Sequence, residues 1–336
     1  MNIKLDIPEK FFEGEERCGY YVSPLMKKVW AVELDLLAEF RRVCEKHNLE
    51  WWIEAGTLLG AARHKGFIPW DDDIDVIMMR KDYDKFCTVA PDELSFPYSF
   101  QKEESGERDR VCPVVRIFND TTTMTPEYVK RYFDKGRKFI FRSKMGIYLD
   151  ISPIDFLPDN DNDTKVLYLN LHYLITNALH AKAMYDQIIG CTESYIPATT
   201  YWKRPVKATL YYISRAFNIK LDRLKEHYRD KTVGYFSEFM KTIKSLDLHE
   251  SKRIAKLTHA SDIQFISRRV WPVSDIADTV YLPFEFMTLP APSGYTDILD
   301  RFYGNWHEYF IRYRHADFYD TEHPYTYYTQ EGHIPE

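Results

Sequence analysis

This 336-residue sequence predicts an α+β fold, a mixed-sheet core interrupted by a helical insertion. Three observations predict it. Trp51 to Met79 (WWIEAGTLLGAARHKGFIPWDDDIDVIMM) reads as a strand, a turn into a short helix, a Gly-Phe-Ile-Pro break and a second strand that carries acids. Further β-prone runs lie at 111–118 and 139–151. Residues 164–189 and 203–245 are helical in pattern, and the chain returns to a strand and a helix only from about 280. The segmentation that follows is a lead-in with an N-terminal helix (1–47), a main region (48–315) and a tail (316–336). The main region divides into a sheet core (48–157), a helical insertion (158–270) and a return segment (271–315).

Residues 1–22 read as an irregular lead-in. Ser23-Pro24 is a good cap and first-turn pair. Leu25, Val29, Trp30, Val32, Leu36, Leu37, Phe40 and Cys44 then make a helical stripe that ends near His47-Asn48, with His47 a polar helix-end residue. Within the central block, Gly56 is free to take a positive φ and to let a phosphate approach the backbone. Thr57 suits the N-cap of a helix from Leu58 to Lys65. Gly66 suits its C′ position, and Pro69 stops it. Lys81 to Ala90 reads as a short helix, 101–110 as a loop, and Val111 to Phe118 as a strand with Arg116 near its end. The Asp-Asn-Asp-Asn-Asp run at 159–163 is a turn that lacks the glycine and terminal glutamate of a calcium loop.

The acids carry the chemistry. Asp71, Asp72, Asp73 and Asp75 lie within five positions, against Ile74, Val76 and Ile77. On a strand, Asp73 and Asp75 would share one face while Ile74 and Val76 enter the opposite layer. Two carboxylates about 6–7 Å apart repel by roughly 2.5 kcal/mol at an effective dielectric near 20, and Mg²⁺ or Mn²⁺ would reverse that sign. The free N–H groups of the helix start at Gly56-Thr57 would face an anion. Arg63, His64 and Lys65 fit two roles equally, compensation of the helix dipole and phosphate contact. A third acid is expected from Gly146 to Pro158: Asp150, at the end of a β-prone run, is preferred over Asp155, which follows Pro153 and reads as a loop residue.

Composition excludes several classes. A net charge of −6 argues against a nucleic-acid binder, and makes an anionic ligand depend on a metal and local cations. No apolar run approaches 18 residues, and residues 1–20 hold eight acidic or basic side chains, so neither a membrane span nor a signal peptide is expected. Five cysteines, odd in number and irregularly spaced, read as free thiols of a reducing cytoplasm. The 25 tyrosines suit sugar stacking as well as packing. The basic run Lys203, Arg204, Lys207, Arg215, Lys220, Arg223 and Lys225 reads as a solvated face, with a membrane surface as its alternative partner. His315 and His323 have no metal-like spacing.

EAGTLLGAARHKGFIPWDDDIDV resembles the signature of the LicD family, which includes bacterial phosphocholine transferases and eukaryotic fukutin-related proteins. GIYLDISPIDFLP (146–158) and LPAPSGYTDILDRFYGNW (289–306) resemble its later blocks, and the likeness runs from about 48 to about 315. The resemblance implies a nucleotidyltransferase-like core. It places Asp73 and Asp75 as the metal pair with Asp150 as third acid, and Gly56-Thr57 as the phosphate turn, with Thr57 where Gly or Ser is usual. It further implies Mg²⁺ or Mn²⁺, a CDP-alcohol donor with CDP-choline foremost, and a glycan acceptor that is free or lipid-linked. The product would be a phosphorylated alcohol on a sugar hydroxyl, with release of CMP. The family's eukaryotic members are membrane-anchored, so a chain without an anchor would act in a bacterial cytoplasm or at the inner face of the membrane. Three competing readings use the same acids: transfer of NMP itself, a D-x-D glycosyltransferase, and a non-catalytic glycan-binding relative.

Overall fold

Sequence order already separates the helix-rich segment from the strands, and the computed structural model shows how it attaches to the sheet. The structure describes residues 1–101, 111, 113–126, 146–192, 221–246, 248, 251–261, 266–308 and 317–323. In chain order, β1 (Glu15–Arg17) and β2 (Tyr20–Val22) form a hairpin before α1 (Pro24–His47); β3 (Trp52–Ile53), α2 (Ala55–His64), β4 (Asp75–Met79) and α3 (Arg80–Glu93) follow. Next come β5 (Tyr98–Gln101), β6 (Val115–Asn119), β7 (Thr123–Pro126) and β8 (Tyr148–Leu157). The long helices α4 (Asp161–Thr192) and α5 (Leu221–Lys244) precede β9 (Arg253–Ala255), α6 (Ile266–Arg269) and β10 (Val270–Pro272). The chain ends with the hairpin β11 (Thr279–Phe284) and β12 (Met287–Pro292), then α7 (Tyr295–Tyr303) and β13 (Asp317–Asp320).

The α1 stripe forms as its spacing predicts. Ser23 caps it by accepting from the Met26 N–H, Pro24 opens it, and Asn48 closes it in the left-handed region at φ 53°. The helix is buried nearly all round, and its apolar side chains join β3, β4, β6 and β8 in one core. The mixed sheet runs β10-β9-β8-β4-β3, with β6 also on β8 and β5 on β6. The β4–β8 pair is parallel and the remaining neighbours are antiparallel. Helices α4 and α5 bury a second apolar cluster of their own, including Tyr168, Leu171, Phe236 and Phe239, against Leu157 and Leu257.

Several expectations are corrected. The central helix starts at Ala55, not Leu58, and Glu54 occupies its N-cap position. Thr57 therefore lies inside the helix, where its buried hydroxyl accepts from the Asp75 N–H at 2.9 Å. The positive φ belongs to Ala55 (48°), and Gly56 is helical. Lys65, not Gly66, takes the left-handed position that ends α2, at φ 58°.

Asp155 is not in a loop. It belongs to the ten-residue β8 and lies opposite Ala255. Pro153 is tolerated there because, among the described residues, 152–154 pair with β4 alone: β6 contacts stop at Ile151 and β9 contacts begin at Asp155. The chain also rejoins the sheet at Arg253, ahead of the expected return at 271. The acidic turn at 159–163 is absorbed locally, since Asp159 accepts from the Lys252 N–H and Asp161 pairs with Arg253. Cys18, Cys44 and Cys87 are free thiols. The expected 101–110 loop past Gln101, the strand portion 139–145, and Lys203, Arg204, Lys207, Arg215, Lys220 and His315 lie outside the described residues.

Candidate active site

The site is assembled where α1, α2, β4 and β8 meet. Only Asp75 of the acidic run belongs to a strand, as the first residue of β4; Asp71, Asp72 and Asp73 approach it in an extended segment. The parallel register of β4 and β8 puts Asp150 directly opposite Asp75. Asp73, Asp75 and Asp150 thus converge, although the shared strand face expected for Asp73 and Asp75 does not exist. Asp150 is held by Arg116 of β6, whose guanidinium spans both carboxylate oxygens and lies 3.8 Å from the Tyr148 ring centroid. Asp155 sits five residues along the same strand, roughly 16 Å away. There it forms a buried two-pronged ion pair with Arg80 at 2.7 and 2.9 Å.

Burial and crowding set the electrostatics. Carboxylate oxygens of Asp71, Asp72 and Asp73 lie within 4.8 Å of one another, a repulsion of at least about 3.5 kcal/mol per ionised pair at an effective dielectric near 20. Burial, and then the Asp73 charge, raise the Asp75 carboxyl well above its ordinary value, while Lys256 partly opposes them. Gly56 is needed for this crowding: a Cβ on it would stand 2.5 Å from Asp71 Oδ2. Trp30 Nε1 of α1 donates to the Asp71 carbonyl at 2.8 Å and pins the acidic segment to that helix.

A cationic wall faces Asp75 from the C-terminal half. Lys256, which directly follows β9, is buried and ion-paired to Glu54 at the start of α2. Burial acts to lower its pKa, but Glu54 and Asp75 outweigh it, and the ammonium is held above its ordinary value. Asp75, Lys256, His259, Arg269, Trp271 and Phe302 line a cavity of about 130 Å³, together with the first residues of α2. Burial, then Lys256 and Arg269, push His259 well below its ordinary value and keep the imidazole neutral. Ala55, in its costly left-handed conformation (about 1 kcal/mol or more), lies on the same wall. The N–H groups of the first α2 turn therefore begin at this cavity, as an anion site would need.

Arg63, His64 and Lys65 are not brought to the acids. They occupy the far end of α2, roughly 12 Å along the helix from Gly56. Arg63 donates to the carbonyls of Trp306 and Glu308 at 2.8 and 3.2 Å and to His64 Nε2 at 2.9 Å. Lys65 is exposed. Burial, then the charges of Arg63 and Arg17, lower His64 to about 4.

Two groups of site residues escaped the sequence reading. Glu33 on α1 is fully buried, with both carboxylate oxygens lacking a hydrogen-bond partner among the described residues. Its signal was present, because position 33 falls inside the apolar stripe, four residues after Val29 and four before Leu37. Lys256, His259 and Arg269 carried no comparable signal, since their burial depends on β9 and β10 joining the sheet. The clustered acids fit a hard divalent cation: the oxygens of Asp71, Asp72 and Asp73 lie within 4.8 Å of one another, and all are carboxylate.

Residues 48–110 match the family model described as LicD/FKTN/FKRP, nucleotidyltransferase domain. The chain is 35% identical over 135 residues to the lipopolysaccharide cholinephosphotransferase LicD of Haemophilus influenzae, covering 40% of this chain and 45% of that protein. It is 45% identical over 88 residues to an uncharacterized protein of Rickettsia typhi, covering 25% of this chain and 28% of that one. It is 53% identical over 34 residues to human ribitol 5-phosphate transferase FKRP, covering 10% of this chain and 7% of that protein. The chain thus spans less than half the length of each of these relatives. No described helix is long and apolar enough to cross a membrane.

Proposed function

We propose, from the match of residues 48–110 to the LicD/FKTN/FKRP nucleotidyltransferase model, that the chain is a phosphotransferase of that kind. It moves a phosphorylated alcohol from a CDP carrier to a sugar hydroxyl of a cell-surface glycan or its lipid-linked precursor. Phosphocholine from CDP-choline is the leading donor, because the 135-residue match is to a cholinephosphotransferase. The observation that carries the reading is Asp75, in register with Asp150, on the wall of a cavity that Lys256, His259 and Arg269 also line. An acid beside the cations Lys256 and Arg269 suits a diphosphate held between a metal and the protein.

Asp73, Asp75 and Asp150 would hold Mg²⁺ or Mn²⁺, which when bound neutralises phosphate charge and polarises the P–O bonds. The residues of the chain do the rest. Arg269 and the first N–H groups of α2 bind the donor's phosphate oxygens. Lys256 offsets the repulsion between Glu54 and Asp75 and keeps the wall closed. Trp271 and Phe302 supply apolar faces for the base or the alcohol. Thr57 fixes the backbone of Asp75 from inside α2. The acceptor hydroxyl attacks the phosphorus that bears the alcohol; its oxygen forms the new P–O bond, and the bond to CMP breaks with its electron pair on CMP. Both oxygens of Asp150 are engaged by Arg116, so taking the acceptor's proton requires that pair to open. Arg63, His64 and Lys65 act, on this reading, through the fixed end of α2.

The test uses CDP-choline labelled separately in choline and in cytidine, with Mn²⁺ and a lipopolysaccharide or teichoic-acid acceptor. Choline label in the glycan with cytidine label in free CMP supports the proposal. Cytidine label in the acceptor would establish NMP transfer instead. Turnover of a UDP-sugar with no CDP compound bound would favour the glycosyltransferase.

A further inference from the structure

Glu33 is a buried carboxylate whose partner must come from outside the described contacts. Its side chain is 0% exposed, and neither oxygen has a hydrogen-bond partner among the described residues. An ionised carboxylate in that condition is strongly unfavourable, and a neutral one would still leave an O–H donor with no acceptor. Its own helix gives no relief, because the residues one turn away on the same face are Val29, Trp30, Leu36 and Leu37. Trp30, three residues earlier, reaches the Asp71 carbonyl, so this face of α1 lies against the acidic segment. The charges that act on Glu33 are those of Asp73, Asp72, Asp150 and Asp75, all of its own sign.

We propose that Glu33 is a ligand of the divalent cation at this site, supplied by α1 from outside the Asp71–Asp75 run. The proposal rests on the reading of those acids as a cation site. It explains why an acid occupies the buried stripe of a helix, and why the Trp30 indole is spent on anchoring Asp71. A hard cation accepts several carboxylate oxygens at once and converts their mutual repulsion into attraction. It also makes α1 part of the active unit, although it precedes the 48–110 segment that defines the family match.

The experiment is Mn²⁺ titration of the full chain by calorimetry, beside melting curves in chelator and in Mn²⁺. The variants are Glu33→Gln, Glu33→Asp and Asp75→Asn. Glu33→Gln is expected to melt in chelator at or above the wild-type temperature, because a buried like charge has gone. Its Mn²⁺ affinity is expected to fall by more than about 100-fold, beyond the 10–100-fold typical of a group that only orients a ligand. Glu33→Asp keeps the charge, folds, and should bind Mn²⁺ with intermediate affinity. Loss of Mn²⁺ by Asp75→Asn, with Glu33→Gln inside the 10–100-fold range or unchanged, would overturn the ligand role and leave the acidic site standing. Absence of Mn²⁺ binding by the wild-type chain would overturn both.

Discussion

Replacing Lys256 with methionine tests whether the cationic wall compensates the acids. Lys256 and Glu54 are both buried and in direct contact, and Asp75 faces the same ammonium. At about 3 Å and an effective dielectric near 20, the attraction between them is about 5.5 kcal/mol, most of it offset by desolvation in the intact pair. Methionine preserves most of the volume, so packing loss stays small. The variant leaves Glu54 and Asp75 buried beside each other with no cation, which should cost about 3–5 kcal/mol. In a chain of this size that corresponds to a fall in Tm of roughly 4–7 °C. The paired variant, Lys256→Met with Glu54→Leu, removes both charges and should recover more than half of the loss. The assay is a double-mutant cycle by thermal or urea unfolding in chelator, with Glu54→Leu as the fourth corner. A coupling of at least about 2 kcal/mol is expected. Additive losses would refute the reasoning, because they would mean that Glu54 is stabilised without Lys256.

Three further outcomes follow from the same geometry. Gly56→Ala forces a Cβ to within 2.5 Å of Asp71 Oδ2 and should displace the acidic segment, costing about 1–3 kcal/mol of stability and most of the Mn²⁺ affinity, as calorimetry would show. Asp155→Asn strips half of the buried pair with Arg80 and should cost about 3 kcal/mol with turnover retained, whereas Asp150→Asn should lose kcat; the reverse pattern in steady-state kinetics would exchange their roles. His64, held at about 4 in the folded chain, stays neutral while the unfolded chain takes up a proton. Stability should therefore fall as the pH drops from about 6.5 to 4. His64→Gln should flatten that fall by roughly 1–2 kcal/mol, after allowance for the solvent screening of a half-buried ring, in denaturation curves run across that window.

What the sequence disclosed and what it hid follow a physical division. The α1 stripe, the strand–helix–strand of the central block and the final strand-then-helix were legible because each is written in local periodicity and capping. Ser23-Pro24 and Asn48 bound α1 by chemistry that acts over four residues. The α2 start was misplaced because Thr57 has the side chain of a cap but spends it on the Asp75 N–H, a contact 18 residues away. Pro153 suggested a loop because proline is costly in a strand paired on both sides. That cost vanishes where, among the described residues, β8 has only β4 beside it, and single-residue rules cannot see where neighbouring strands end.

The same division governs the site. Its acids were visible because four aspartates against apolar residues are improbable without a task, and Asp150 was reached through the β-prone run before it. Its cations were invisible because Lys256 and Arg269 look like any basic residues until β9 and β10 carry them against Asp75. Glu33 lies between these cases. Helical spacing alone places an acid on the buried face of α1, and only the lack of a described donor at its oxygens motivates the proposed cation. An acid within an amphipathic stripe is therefore informative from its spacing alone, provided that the stripe is tested for acids as well as for apolar residues. Asp35 shows the limit of the rule, for it is equally buried on α1 but is satisfied by the N–H groups of Lys4 and Leu5 and the Tyr98 hydroxyl. Spacing does not tell these two acids apart, and partner geometry alone separates Asp35, whose oxygens are satisfied, from Glu33, for which we propose a cation.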